Sequence, residues 1–347
     1  MQHQDDRASF TRKGTKSRRR GPDLGIRATR ADSGRLGTVD DLLPPDLPIF
    51  AEMRHDDSQR EWLTRLPGMI AELRDRWSLD LGDPVHGGSC SWVAPASPPD
   101  GTLAVLKITW PHREMEGEAQ ALRLWDGVGA VRLLHHAPDL SALLVERCEP
   151  GTELAEHDGV PEELLTTAAS ALRELWRPPA ADSGFERVTD VAAEWADEVE
   201  DRMRRHRPAV DPGLVALGAG LLRELPRTAE REVVVHGDFN PGNLLAAHRD
   251  GGWLAIDPKP MIGDPAYDPW PLLEQIDDPF EHDDPDLLLK ERFALVADVL
   301  GEDVRRLQAW SVARQVETAL WCVEHGEAED GAEVMDCARV VADLAGL

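Results

Sequence analysis

Apolar positions recur at two spacings along this chain, and the switches between them divide it into elements. From Arg60 to Trp77 ("REWLTRLPGMIAELRDRW") they return every three or four residues, which predicts a helix, or two short ones meeting at Pro67. From 81 to 110 alternation takes over. "LGDPVHGGSCSWVAPA" reads as strand, tight turn, strand, and "TLAVLKITW" as a further strand entered from a Pro/Gly turn. Helical spacing returns from Arg113 to Trp125, and short strand signals follow at "AVRLLHH" and "SALLVERCEP". Beyond Gly151 the pattern is helical over 161–176, 186–206, 213–224 and from 287 onward. Only "EVVVHGD", "NLLAAH" and "GWLAIDP" interrupt it with strands. There is no internal repeat. The order predicts an α+β protein of two lobes: a small β-rich lobe over 45–148, then a larger helical lobe over 149–347 that carries a strand-loop-strand insert.

Length and composition agree with this division. A chain of 347 residues exceeds what one hydrophobic core commonly organises. Cys90, Cys148, Cys322 and Cys337 have no C-x-x-C spacing, so neither a zinc site nor a disulfide framework is expected, and a reducing cytoplasm is the expected location. No run of eighteen apolar residues and no signal-peptide layout is present, so a membrane partner is not expected. The net charge is −27, yet residues 1–40 hold ten Lys or Arg against five Asp or Glu. That basic stretch is poor in apolar residues, and 1–44 reads as a disordered arm. The acidic remainder argues against nucleic acid as the main partner and suits a cationic small molecule.

The chemistry concentrates in "VVVHGDFNPGNLL" (233–245), where acids, amides and helix breakers are crowded between two apolar runs. If 243–247 and 253–257 pair as a hairpin, Asn243 and Asp257 come together beneath Asp238. Two oxygen-bearing side chains so placed suit a hard cation such as Mg²⁺ bridging phosphates, and Asp238 is left to receive or orient a substrate hydroxyl. His236, Asp238, Asn243 and Asp257 then resemble the catalytic core of protein-kinase-like phosphotransferases, whose loop has the form H-x-D-x-x-x-x-N with a metal-binding Asp on a later strand. In that arrangement His236 scaffolds the loop rather than acting as a base.

The resemblance implies an ATP clamp in the first lobe. Lys107 ends the strand "LAVLK", with Val105 on the same face to cover the adenine while the ammonium reaches the phosphates. Met115, Leu122 and Trp125 form an apolar stripe with Glu118 in its middle. A carboxylate on a buried stripe needs a partner, and Lys107 is the natural one; Glu114 is the alternative carboxylate. Gly87 and Gly88 offer backbone, and Ser89 and Ser91 hydroxyls, to the phosphates, although the family's three-glycine loop is not reproduced. "LLVERCEPG" resembles a kinase hinge, with backbone groups of Glu146 and Cys148 facing adenine.

"GGSCSWVAPA", "EAQALRLWDG", "LLVERCEPGT", "VVVHGDFNPGNLLAA" and "WLAIDPKPMIGDPAYDPWPLL" are similar to the branch of the aminoglycoside phosphotransferase superfamily that holds streptomycin 6-phosphotransferases and hydroxyurea phosphotransferases. That implies transfer of the γ-phosphoryl group of ATP to a hydroxyl of a small molecule, with Asp264 and Asp268 bracing the catalytic loop. The rival readings are a nucleotide-binding adaptor without turnover, a metabolite kinase unrelated to resistance, a nucleotidyl transferase on the same fold, and a nucleic-acid binder using the arm. Residues 264–289 hold nine acids and no Lys or Arg, either a solvated loop or a cation-attracting wall of the substrate cleft. Trp176, Trp195, Trp253, Trp270, Trp310 and Trp321 are expected in the core.

Overall fold

A computed structural model describes residues 42–44, 47, 49, 50, 53, 57–85, 90–180, 182–249 and 252–347. Most of the basic arm lies outside these residues. By internal packing the chain forms two units, one running to Thr152 and including Ala246–Gly252, the other comprising Glu153–Leu245 and Trp253–Leu347.

The first unit opens with α1 (Asp57–Trp77), which runs unbroken through Pro67 and buries Trp62, Leu66, Met69, Ile70 and Leu73 at helical spacing. Its core partner is an antiparallel sheet in the order β1-β2-β3-β5-β4, formed by β1 (Asp80–Leu81), β2 (Ser91–Ser97), β3 (Ala104–Thr109), β4 (Leu133–Ala137) and β5 (Ala142–Glu146). On β3, Ala104, Leu106 and Ile108 are fully buried and join Leu66, Ile70 and Leu73 in one cluster, while Val105 and Lys107 alternate onto the less covered face. The helix expected from Arg113 is shorter than its pattern. Arg113–Met115 form a single 3₁₀ turn, Gly117 takes a left-handed conformation that breaks the run, and α2 spans only Glu118–Trp125. Met115 is therefore not part of a helical stripe. The chain leaves this unit through β6 (Pro150–Glu153).

The second unit is mainly helical: α3 (Pro161–Leu175), α4 (Val188–His206), α5 (Pro212–Glu224), α6 (Trp270–Gln275), α7 (Pro285–Leu300), α8 (Val304–Glu324) and α9 (Ala328–Ala345). α8 is its central pillar, burying residues on nearly every side as it packs against α4, α5 and α9. Gly218 on α5 lies so close to α8 that a Cβ there would stand 2.5 Å from Val316 Cβ. Three short strands, β7 (Glu186–Arg187), β8 (Val233–Val235) and β11 (Met261–Gly263), form a sheet in the order β7-β11-β8. β11 runs antiparallel to β8 and parallel to β7. β9 (Leu244–Ala247) and β10 (Trp253–Ala255) form the expected hairpin, closed at its base by Ile256 N–H donating to the Asn243 carbonyl at 3.0 Å. The alternation expected from the sequence did not reveal β6, β7 or β11. Strands of two to four residues are too short to show a period.

All four cysteines are free thiols. Among the described residues no helix is long and apolar enough to cross a membrane.

Candidate active site

Three consecutive valines make β8 a buried strand, and the loop that follows is held by partners supplied from deep in the second unit. His236 is fully buried. Its Nε2 lies 3.0 Å from the Ile256 carbonyl and its Nδ1 accepts the Asp238 N–H at 3.3 Å, so the ring carries its proton on Nε2 and is neutral. Burial drives its pKa below the usual histidine range, against the opposing pull of Asp268, Asp238 and Asp257. The ring packs edge-on against fully buried Phe239. His236 is a scaffold, as the resemblance implied.

Asp268 braces the loop directly. Its carboxylate accepts the His236 and Gly237 N–H groups, both at 2.9 Å, and the Trp176 indole N–H at 3.1 Å. Burial nonetheless pushes its pKa upward. Asp264, expected beside it in that role, does something else: it accepts from Ala266 N–H, the Arg306 guanidinium at 2.6 Å and the Trp310 indole at 2.5 Å. It ties α8 to the segment after β11 rather than bracing the loop. Gly237 has no substitute, since φ is +86° and a Cβ would sit 1.9 Å from the Lys259 carbonyl oxygen.

Around Asp238 the amides are arranged by the turn itself. Asn240 caps the 3₁₀ turn Pro241–Asn243 through bonds from Gly242 and Asn243 N–H, and its Nδ2 lies 3.2 Å from Asp238 Oδ1. Asn243 Nδ2 donates to the Asp238 carbonyl at 2.9 Å and approaches Oδ2 at 3.3 Å. With its nitrogen turned to Asp238, Asn243 keeps its Oδ1 as an oxygen ligand. Asp257 follows the hairpin in a left-handed conformation, φ +55°, uncommon for a residue with a side chain. That conformation is fixed on both sides, by the Ile256–Asn243 bond before it and by Lys259 N–H donating to the His236 carbonyl at 2.8 Å after it. Lys259 then turns its ammonium to Asp238, Nζ to Oδ2 at 3.0 Å.

Mg²⁺ would suit oxygen donors of this kind, since it is commonly bound through one or two carboxylates together with substrate phosphates and water, and the Ile256–Asn243 backbone bond sets Asp257 next to the residue paired with Asn243. Among the described residues no group of three or more His, Cys, Asp or Glu could hold a metal ion.

In the first unit, Lys107 Nζ lies 3.0 and 2.9 Å from the two carboxylate oxygens of Glu118. The pair is largely withdrawn from solvent, with side-chain exposures of 13% and 5%. Glu118 is the first residue of α2, where the helix dipole also favours a carboxylate. The alternative partner, Glu114, sits on the separate 3₁₀ turn. Gly87, Gly88 and Ser89 lie outside the described residues. Ser91 is a correction: its hydroxyl is buried against Thr109 Oγ1 at 2.9 Å across the β2–β3 pair, facing the sheet interior rather than a phosphate. At the segment expected to be the hinge, the Glu146 N–H donates to the Arg132 carbonyl at 2.8 Å. Its carboxylate accepts from Arg249 at 2.7 and 2.6 Å, and Arg249 also donates to the carbonyls of Gly127 and Ala130. Burial raises the Glu146 pKa, but Arg249 and the Arg132 N–H outweigh it and hold the carboxyl below its ordinary value. Cys148 is buried, its thiol pushed up to about 12, so only its backbone can serve a ligand.

Sequence reasoning missed Asn240, Lys259 and Arg249. Only Lys259 left a trace, as a lone basic residue between two prolines in "DPKP", two positions after Asp257.

Residues 76–326 match the family described as aminoglycoside/hydroxyurea antibiotic resistance kinase. A streptomycin 6-kinase of Streptomyces glaucescens is 36% identical over 288 residues, covering 82% of this chain and 92% of that protein. A hydroxyurea phosphotransferase of Kitasatospora aureofaciens is 35% identical over 302 residues, 86% and 85% of the two chains. Among solved structures, the choline kinase LicA of Streptococcus pneumoniae superposes with a TM-score of 0.55 at 12% identity, over 80% of this chain and 99% of that one. A macrolide 2'-phosphotransferase type I gives 0.54 at 20% identity, over 78% and 96%.

Proposed function

The chain belongs to the aminoglycoside/hydroxyurea antibiotic resistance kinases and has a protein-kinase-like fold, and from that premise we propose that it is a cytoplasmic, Mg²⁺- and ATP-dependent kinase that phosphorylates a hydroxyl of a streptomycin-like aminocyclitol or of hydroxyurea. The observation that supports the site assignment is the Asp238 carboxylate, set in a loop braced by buried His236 and Asp268 and bonded by Asn243, which the hairpin brings against the backbone just before Asp257. Asp238 receives the acceptor hydroxyl and aligns its oxygen with the γ-phosphorus. The new O–P bond forms as the bond to the leaving ADP oxygen breaks, and the hydroxyl proton passes to the carboxylate and on to solvent. Asn243 and Asp257 would hold Mg²⁺, which would neutralise phosphate charge. Lys107, oriented by Glu118, adds a fixed positive charge for the α- and β-phosphates, and the backbone of the Glu146–Cys148 segment receives adenine. Most of the acceleration in such chemistry comes from positioning and charge compensation, so a mild carboxylate base suffices.

The test is an ADP-release assay with Mg²⁺ and ATP on streptomycin and hydroxyurea in turn, with Asp238→Asn as control. The expected outcome is acceptor-dependent ADP release, a product heavier by one phosphoryl group, and loss of at least about a hundredfold in kcat for the variant. Nucleotide binding without turnover on either acceptor would favour the adaptor reading instead.

A further inference from the structure

We propose that Lys259 is a positioning residue for the phosphotransfer: by clamping Oδ2 of Asp238 it fixes the rotamer of the carboxylate and directs the acceptor hydroxyl to Oδ1. This rests on the reading of Asp238 as the residue that receives the hydroxyl.

An ionised carboxylate offers about four lone-pair sites, two on each oxygen. In Asp238, Oδ2 faces both the Lys259 ammonium at 3.0 Å and the Asn243 amide at 3.3 Å, while among the described residues Oδ1 faces one side-chain donor, the Asn240 amide at 3.2 Å. The remaining acceptor direction therefore belongs to Oδ1. Of the three contacts, the one from lysine is both the shortest and the only one with a full charge, so it decides the torsion of the carboxylate. Side-chain exposures of 24% for Lys259 and 14% for Asp238 leave the pair only partly screened.

The lysine is itself placed by backbone that the loop cannot do without. Its N–H bonds to the His236 carbonyl, and its carbonyl oxygen stands where a Cβ on residue 237 would be. Pro258 and Pro260 on either side restrict its φ and that of its neighbours. A lysine held so firmly, aimed at the one carboxylate the chemistry needs, is not an incidental surface ion pair. The two amides keep the loop closed, and the lysine sets which oxygen faces the acceptor.

The experiment compares Lys259→Met, Lys259→Gln and Lys259→Arg with Asp238→Asn, measuring kcat, both KM values, nucleotide affinity by titration without acceptor, and melting temperature. The expected result for Met and Gln is a fall in kcat of about 10- to 100-fold, the range for a reacting group displaced by an ångström, with nucleotide affinity changed less than about twofold. Arg, which retains the charge but spreads it over a bulkier planar fork, recovers part of the loss. Wild-type kcat in a folded Lys259→Met or Lys259→Gln, or a loss that appears equally in nucleotide affinity, overturns the proposal. If Asp238→Asn keeps its activity, the reading of the loop fails and the proposal falls with it. If Asp238→Asn is inactive while the Lys259 variants are normal, only the role of Lys259 is lost.

Discussion

His236 shows how a single buried ring can set the pH range of the whole loop. Its Nδ1 must accept the Asp238 N–H, which only the neutral ring can do. Burial lowers its pKa below the unfolded value of about 6.5. A group depressed in this way contributes stability that is present above the unfolded pKa and is lost as pH falls below it. Unfolding free energies measured from pH 8 down to pH 5 should fall once the pH passes below about 6.5, by up to about 1.4 kcal/mol per pH unit while the proton is refused. In His236→Gln, whose amide supplies one donor and one acceptor but does not titrate, the acid-side decline should be shallower; an unchanged slope would assign it to other groups. At this scale the sequence was most readable where spacing alone decides. Asp238 and Asn243 stand in one loop whose letters dictate their proximity, and the expected hairpin sets Ile256, the residue before Asp257, against Asn243. Ser91 and Lys259 were not readable: which way a side chain at a strand's first residue or between two prolines turns depends on register and backbone path, not on its neighbours in sequence.

Elements succeed or fail by how closely their surfaces meet. α5 approaches α8 through Gly218, whose missing side chain is the contact. Gly218→Ala gains up to about 1 kcal/mol of helix propensity, but the added carbon meets fully buried Val316 at its rigid Cβ and forces the helices apart. A net loss of about 1–3 kcal/mol in denaturant unfolding is expected, whereas an exposed helical glycine such as Gly220, with open space where its Cβ would go, should accept alanine with a gain. α3, α4 and α5 were legible from their period within two residues at each end, whereas α1 begins three residues before Arg60 and the run expected from 287 onward is three helices whose breaks the period did not show. α2 was not legible, because Gly117 interrupts an apolar pattern that continues across it, and a period cannot report a break that preserves phase.

Over the whole molecule, charge is less free than its sum suggests. The acidic run after β11 reads as a wall of negative potential, but several of its members are already committed. Asp268 and Asp264 are buried with their donors, Asp277 pairs with buried Arg292, and Asp278 and Asp284 cap the turns that follow them. What remains is the diffuse field of a chain with net charge −27. Such a field acts on a cationic acceptor through long-range attraction and is screened beyond about 10 Å at 0.1 M salt. Raising salt from 0.02 to 0.3 M, concentrations chosen to span that Debye length, should therefore raise KM for streptomycin several-fold while leaving KM for neutral hydroxyurea unchanged. Equal responses would remove the field from any part in choosing the acceptor. The two-lobe organisation was legible because alternating and helical patterns separate cleanly along the chain. That residues 246–252 pack with the earlier unit was not, since nothing in the hairpin's letters names a partner a hundred residues upstream.

That displaced segment has a consequence for how the molecule can be taken apart. Arg249 serves the Glu146 carboxylate and the carbonyls of Gly127 and Ala130, yet it is encoded after almost a hundred residues of the helical unit. No single cut in the gene yields the β-rich unit whole. A fragment ending at Thr152 leaves a carboxylate and two carbonyls without their cation, and swapping that fragment between relatives would pair a hinge with another protein's arginine. Shuffling of halves, natural or engineered, is restricted to parents that keep the 146–249 pair in common.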